Sequence, residues 1–358
     1  MKKKLSLLLC AALMVSALAG CGPKNGGSAS SGSASGSAPG SASASVDASN
    51  GNASASYELP DLMVMSGPTG VGAAKLMADH DAAGPLPGDS VVIASATVAA
   101  DNEMVKNALV NGDADIAAIA TNMAATLYNK LEGGIQVLAV NTLGVLYILE
   151  KGDTVHSMAD LKGKTLYATG QGANPEYILN YLLTENGVQP SEVDIQWMTA
   201  QEITAKMTTE EAAICMLPVP AATAVRMKDS GVRQAVSLSD AWDNLGQGAL
   251  PQGCIVARTE FIEENPLAVE HFLNAYEESL TYMNDEANLT DAAALVAKYE
   301  ITANEQIAAK AIPQCNLTYV TGDEMRDMLQ QYYQVLFQSD PASIGGCIPY
   351  DSFYYGVE

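Results

Sequence analysis

Histidine is scarce in this chain, and cations are heavily outnumbered. Its 358 residues hold three histidines, 18 lysines and arginines, and 41 aspartates and glutamates, for a formal charge of −23. A chain this acidic cannot release counterions from a phosphate backbone, which excludes nucleic acid as a partner. The charge instead supports solubility and repulsion from anionic surfaces. Cys-x-x-Cys is missing, and His80, His156 and His271 stand far apart. Zinc-type ligand spacing is therefore absent and no metal is expected. A Gly-x-Ser-x-Gly elbow is also missing. With no histidine in an expected ligand loop, acid–base catalysis lacks an agent, so no catalytic residue and no cofactor are assigned. Beyond residue 20 no apolar run is long enough to span a bilayer.

What is present begins at the N-terminus. Lys2, Lys3 and Lys4 precede an apolar run over residues 5–17, followed by Leu18-Ala19-Gly20-Cys21. This pattern reads as a secretion signal over residues 1–20. Leu18-Ala19-Gly20-Cys21 resembles the lipobox of bacterial lipoproteins, which implies cleavage before Cys21 and lipid on its sulfur. Removing the three leader lysines takes −23 to −26. Residues 21–56 are nearly all Gly, Ser, Ala and Asn. They read as a flexible linker, whose coil of ~35 residues spans about 30–35 Å. Stable anchoring takes two or more lipid chains, a condition that a diacylated cysteine meets.

The remaining residues alternate between strand and helix patterns, which points to α/β architecture. Strands are expected over residues 59–66, 91–96, 115–120, 136–140 and 145–150, and helices over 73–80, 101–111 and 123–130. A second unit then starts, with strands over 164–168, 193–198, 212–217 and 232–238. Helices over 176–184, 201–208 and 221–227 separate them. A strand over 253–258 returns to the first unit. Asn265 and Pro266 then open a helix whose stripe is Val269, Phe272, Leu273, Tyr276, Leu280 and Met283. Further helices are expected over 291–299, 304–311 and 324–337. These stripes read as core.

Several motifs carry a family resemblance. They are Ser66-Gly67-Pro68-Thr69-Gly70, Asn111-Gly112-Asp113-Ala114-Asp115, Leu161-Lys162-Gly163-Lys164 and Leu217-Pro218-Val219-Pro220. With the lipobox and stalk, they resemble bacterial solute-binding lipoproteins of ABC importers. The branch is the nitrate/sulfonate/taurine-binding one, which includes thiamine-precursor binders. Val219 stands where that family carries an acid. The resemblance implies a two-lobed, type II periplasmic-binding-protein fold, with a parallel-rich sheet in each lobe, two crossovers and a C-terminal helical segment. The expected division is residues 57–143 and 250–358 for lobe 1 and 144–249 for lobe 2. The implied partners are a small-molecule solute, a permease with its ATPase, and the outer face of the cytoplasmic membrane through Cys21. The protein is expected to be a monomer and not an enzyme. An extracytoplasmic enzyme of the pyrimidine-synthase type and a solute sensor are the alternatives.

Ligands of such folds sit where loops meet helix N-termini, which offer free amides and partial positive charge. Three small polar loops have that character. Their candidate residues are Ser66, Gly67, Pro68, Thr69 and Gly70; Thr121 and Asn122; and Thr169, Gly170, Gln171, Gly172 and Asn174. Asn141 and Thr142 at the first crossing, and Pro218 and Val219, join them. Backbone amides rather than charged side chains are expected to hold the cargo. Gly144, Gly246, Gly248 and Gly253 are read as freeing the crossings. Trp242 is a candidate stacking surface, with core the favoured reading; Arg226, Arg233 and Arg258 are anion clamps or ion-pair residues. Gly67 and Gly72 have phosphate-loop spacing, but Ala73 and Ala74 replace the required Lys and Ser/Thr. Cys215, Cys254, Cys315 and Cys347 allow three full pairings. Cys315 and Cys347, flanking one helix, are the favoured pair.

Overall fold

The computed structural model describes residues 45–47, 56–83 and 91–357. The leader, Cys21 and most of the linker lie outside the described residues. Two short strands, β1 (Ser45–Asp47) and β2 (Ser56–Glu58), pair antiparallel at the end of the segment read as coil. The first unit follows as β3 (Asp61–Met65), α1 (Pro68–Val71), α2 (Ala74–Ala83), β4 (Ser95–Ala99), α3 (Asn102–Asn111), β5 (Ile116–Ala120), α4 (Thr121–Lys130) and β6 (Ile135–Thr142). The chain crosses and builds β7 (Leu146–Lys151), β8 (Thr165–Ala168), α5 (Asn174–Glu185), β9 (Asp194–Trp197), α6 (Ala200–Thr209), β10 (Ala213–Pro218), α7 (Ala221–Lys228), β11 (Val232–Ser237) and α8 (Leu238–Asp243). It returns through β12 (Gly253–Arg258), α9 (Thr259–Glu264), α10 (Pro266–Asn284), α11 (Leu289–Lys298), α12 (Glu305–Ala311), β13 (Leu317–Val320) and α13 (Gly322–Ser339). No helix among the described residues is long and apolar enough to cross a membrane.

Two mixed sheets result. One has the order β13-β6-β12-β5-β3-β4, the other β11-β7-β10-β8-β9. Strands β4, β3 and β5 run parallel, as do β10, β8 and β9. Strands entered after a crossing run the other way: β12 lies antiparallel between β5 and β6, and β7 antiparallel between β10 and β11. Each sheet thus carries a parallel run of three strands, with antiparallel strands on its other side.

Local chemistry sets the element ends. Asp101 caps α3 by accepting the Met104 amide at 2.9 Å, and Gly112, with φ of 76°, closes it. Thr199 and Glu202 form a capping box on α6. Helix α10 buries Val269, Phe272, Tyr276, Leu280 and Met283 against the first sheet's core, and α13 buries Met325, Leu329, Tyr332, Tyr333 and Leu336. Residues of both sheets and α13 share one apolar cluster, which includes Val256, Leu166, Ile178 and Leu336. Trp242 is fully buried there, with its ring 5.2 Å from Tyr181 and 5.7 Å from Tyr332, so it is core and not a stacking platform.

Two other readings are corrected. All four described cysteines are free. Cys315 is buried beside Ala311, whose carbonyl accepts its thiol at 3.3 Å. Cys347 is exposed beside Asn129, so the favoured pair does not form. The glycines at the crossings serve close packing as well as freedom. A Cβ on Gly144 would sit 1.9 Å from the Ser239 hydroxyl, and one on Gly253 would sit 2.8 Å from Asn141 Oδ1.

Arg233 and Arg258 pair internally. Arg258 binds Asp115 at 3.0 Å, and Arg233 reaches the buried carboxylate of Glu150. Burial works most strongly against ionisation of Glu150. Hydrogen bonds from Thr154 and Val155, with the Arg233 charge, outweigh it and hold the carboxyl below its ordinary range. A lowered native pKa means that the stabilisation is complete above the ordinary glutamate value of about 4.3 and fades as pH falls through the native value. Replacing Arg233 with Ala leaves a buried charge without its cation and is expected to cost about 3 kcal/mol in urea unfolding at pH 7. The loss should shrink below pH 4. A cost under about 0.5 kcal/mol, the range of ordinary surface changes, would show the pair to be incidental.

Candidate functional site

A cleft of about 850 Å3 lies between the two sheets. Six helices, α1 and α3 to α7, present their N-cap or first residue to it. This is the place that strand-to-helix turns create in an open α/β fold. The segment after β3 contributes Ser66, Gly67, Pro68 and Thr69. It is stitched down at two points: the Ser66 amide donates to Ala99 O at 2.9 Å, and the Gly67 amide to Ile301 O at 3.0 Å. The opposite wall carries Thr169, Gly170, Asn174, Pro218 and Val219. The Val219–Pro220 peptide is cis, and the Val219 amide donates to Val145 O at 3.0 Å.

The floor is a buried polar junction. The Gln252 amide donates to Thr142 O at 2.9 Å, and its side-chain oxygen accepts the Val145 amide at 2.6 Å. The Gln252 carbonyl accepts the Thr121 amide and the Asn174 side-chain amide, both at 3.2 Å. Tyr332 donates to Asn174 Oδ1 at 2.9 Å. Burial pushes the Tyr332 phenol well above its ordinary pKa, so it stays a donor at neutral pH. Asn174 therefore ties the start of α5 to both the first sheet and α13.

Nine of the sequence candidates line the cleft: Ser66, Gly67, Pro68, Thr69, Thr169, Gly170, Asn174, Pro218 and Val219. The rest do not, for identifiable reasons. Gly70 is buried against Met65, whose carbonyl oxygen a Cβ would meet at 2.1 Å. Asn141 is buried, donating to Thr69 O at 2.9 Å and bonded to the Tyr276 hydroxyl at 2.7 Å. Thr142 is fully buried. Thr121 donates its hydroxyl to Pro251 O at 2.8 Å, and Asn122 donates to Ser343 O at 3.2 Å; both are buried behind Ala120, which does line the cleft. Gln171 and Gly172 are exposed outside the lining. Of the proposed anion clamps, Arg226 is exposed on α7, and none of the three lines the cleft.

The sequence reading missed the end of α11 and the segment after it. Ala297, Glu300, Ile301, Thr302 and Ala303 all line the cleft. Glu300 has φ of 57°, a left-handed conformation. Its amide donates to Ala297 O at 3.1 Å and the Ile301 amide to Val296 O at 3.0 Å. These are the two bonds of a Schellman cap, with Glu300 at the position that ordinarily takes glycine. A side chain there costs about 1 kcal/mol. The legible signal is a helix pattern ending at residue 299 with no glycine after it. Glu300 is also the one titratable residue lining the cleft among the described residues. No cysteine lines the cleft among the described residues, and burial pushes the thiols of Cys215 and Cys315 up to about 12.

A two-lobed α/β fold with a cleft at its strand-to-helix turns defines a class, the type II periplasmic binding proteins. Solved structures of similar shape agree. An ABC transporter structure from Parabacteroides distasonis matches with a TM-score of 0.68 and 22% identity, covering 83% of this chain and 98% of that one. The periplasmic aliphatic sulphonate binding protein SsuA from Escherichia coli matches with a TM-score of 0.64 and 16% identity, covering 80% and 89%. The nitrate-binding protein NrtA from Synechocystis PCC 6803 follows with 0.54 and 15%, covering 80% and 85%. The family model described as NMT1/THI5 like matches residues 96–288, more than half of the chain, so the chain belongs to that family. No curated protein sequence matches.

The junction under the cleft generates a prediction. Asn174→Ala removes the acceptor of a buried Tyr332 hydroxyl and one donor to the Gln252 carbonyl. It should cost about 2 kcal/mol in chemical denaturation. A loss below about 0.5 kcal/mol would mean that Asn174 does not hold the two sheets together.

Proposed function

We propose that the chain is an extracytoplasmic solute-binding lipoprotein of an ABC importer. It captures a small organic solute in the cleft and passes it to a membrane permease with its ATPase. In this reading the chain is a monomer held at the outer face of the cytoplasmic membrane by lipid on Cys21. Residues 57–143 with 250–358, and residues 144–249, act as lobes that close on the solute. The observation that carries the reading is one concave site, walled by helix starts of both sheets, whose lining holds a single titratable group. Clefts of this size and character hold small organic ligands. The similar structures, an ABC transporter and binding proteins for aliphatic sulphonate and nitrate, support the transport class.

The lining supports capture over turnover. Acid–base chemistry needs groups with complementary proton affinities at the reacting bond, and Glu300 has no titratable companion on the cleft wall among the described residues.

The test is a thermal-shift screen over pyrimidines, flavin-like compounds, sulfonates and nitrate. A compound at a hundredfold excess over its Kd should stabilise the fold by about 2.7 kcal/mol. Ala224, on the α7 wall, lines the cleft and is partly exposed. Ala224→Phe fills that space and should abolish the shift while leaving the ligand-free melt within a few degrees. A shift that survives the substitution would place the binding site elsewhere, and release of a chemically altered compound would favour an enzyme.

A further inference from the structure

We infer, building on the solute-capture reading above, that the cleft takes an organic cation: an apolar body carrying an ammonium or similar group that faces Glu300.

Helix N-termini ordinarily favour anions, and six of them begin here. Each is closed. Proline removes a donor at three starts, with Pro68 at the head of α1, Pro175 in the first turn of α5 and Pro220 at the cap of α7. The Thr121 amide at the start of α4 is used by Gln252 O. Asp101 and Thr199 side chains cap α3 and α6. Acidic Glu103, Glu176 and Glu202 in the first turns of α3, α5 and α6 offset the partial positive charge further. No lysine, arginine or histidine lines the cleft among the described residues. An anion would leave water for a lining that supplies no cationic side chain among the described residues.

A cation meets the opposite situation. Met65, Pro68, Leu146, Pro175 and Ile307 supply apolar wall. Glu300 supplies the one charge. It is exposed toward solvent, and no cation pairs with it among the described residues. The nearest cation in sequence, Lys298, is engaged with Asp81 at 2.7 Å and with the Tyr299 hydroxyl at 3.0 Å. Glu300 also holds a backbone conformation that glycine would adopt without strain, so the carboxylate is kept at a cost to the fold. The formal charge of −23 raises the local concentration of cationic solutes.

Matched probes on one frame test this: benzylammonium, benzyl alcohol and phenylmethanesulfonate, with the cyclohexylmethyl analogues of all three, measured by thermal shift and calorimetry on the full chain. The ammonium should bind at least tenfold more tightly than its matched sulfonate. Glu300→Gln should weaken the ammonium about tenfold and leave the alcohol within twofold. Glu300→Gly should show the same loss of ammonium binding, yet raise the ligand-free melting temperature by about 2 °C as strain is relieved. That rise separates loss of charge from loss of structure. A sulfonate that binds as tightly as the ammonium, or an ammonium indifferent to Glu300→Gln, overturns the charge assignment and leaves solute capture standing. No shift from any of the six overturns the cation assignment, and solute capture then stands or falls on the wider screen above.

Discussion

The molecule turns on the hydrogen bonds gathered around Gln252. One residue on the returning crossing satisfies the outgoing crossing at Val145, the end of β6 at Thr142 and the start of α4 at Thr121, and it anchors Asn174 at the start of α5. Buried polar groups are costly when unpaired, so each of these bonds constrains the others. Tyr332 closes the set from α13. Because Gln252 and Asn174 also line the cleft, the floor of the site and the joint between the sheets are the same few residues. A solute resting there touches the groups that fix one sheet relative to the other. That is the coupling a closing trap needs.

Around this floor the walls are mostly alanine, proline and aliphatic side chains. Small residues leave volume and prolines leave few donors. On the organic-cation proposal, the cleft selects by shape and by the one carboxylate in its lining. A loop rich in Gly and Pro after a strand resembles an anion cradle in sequence. Yet Pro68, Pro175 and Pro220 each take one donor away from such a start.

Much of the fold was legible because its signals are local. Asp101 and Gly112 bracket α3, Pro266 opens α10, and the buried stripes of α10 and α13 repeat at helical spacing. Strand β13 was not, being four residues long and only partly buried. The antiparallel entry of β7 and β12 is set by the crossings, which no short pattern encodes. In the candidate site, Ser66–Thr69 and Thr169–Gly170 were readable as strand-to-helix turns. Asn141 and Asn122 misled because a polar residue at a strand or helix end looks solvent-facing. Here their partners are Tyr276 and Ser343, 135 and 221 residues away in the chain. Glu300 was invisible for a different reason: its meaning lies in a positive φ, and in a cleft wall assembled from segments far apart in sequence.

The most direct measurement is a crystal structure of the chain grown with a compound that shifts its melt. The account requires the compound to lie between Pro68 and Ala224, above Gln252, with any basic group within about 4 Å of the Glu300 carboxylate, the reach of an ion pair. Density for that compound on another surface, with the space between the sheets filled only by solvent, would contradict it.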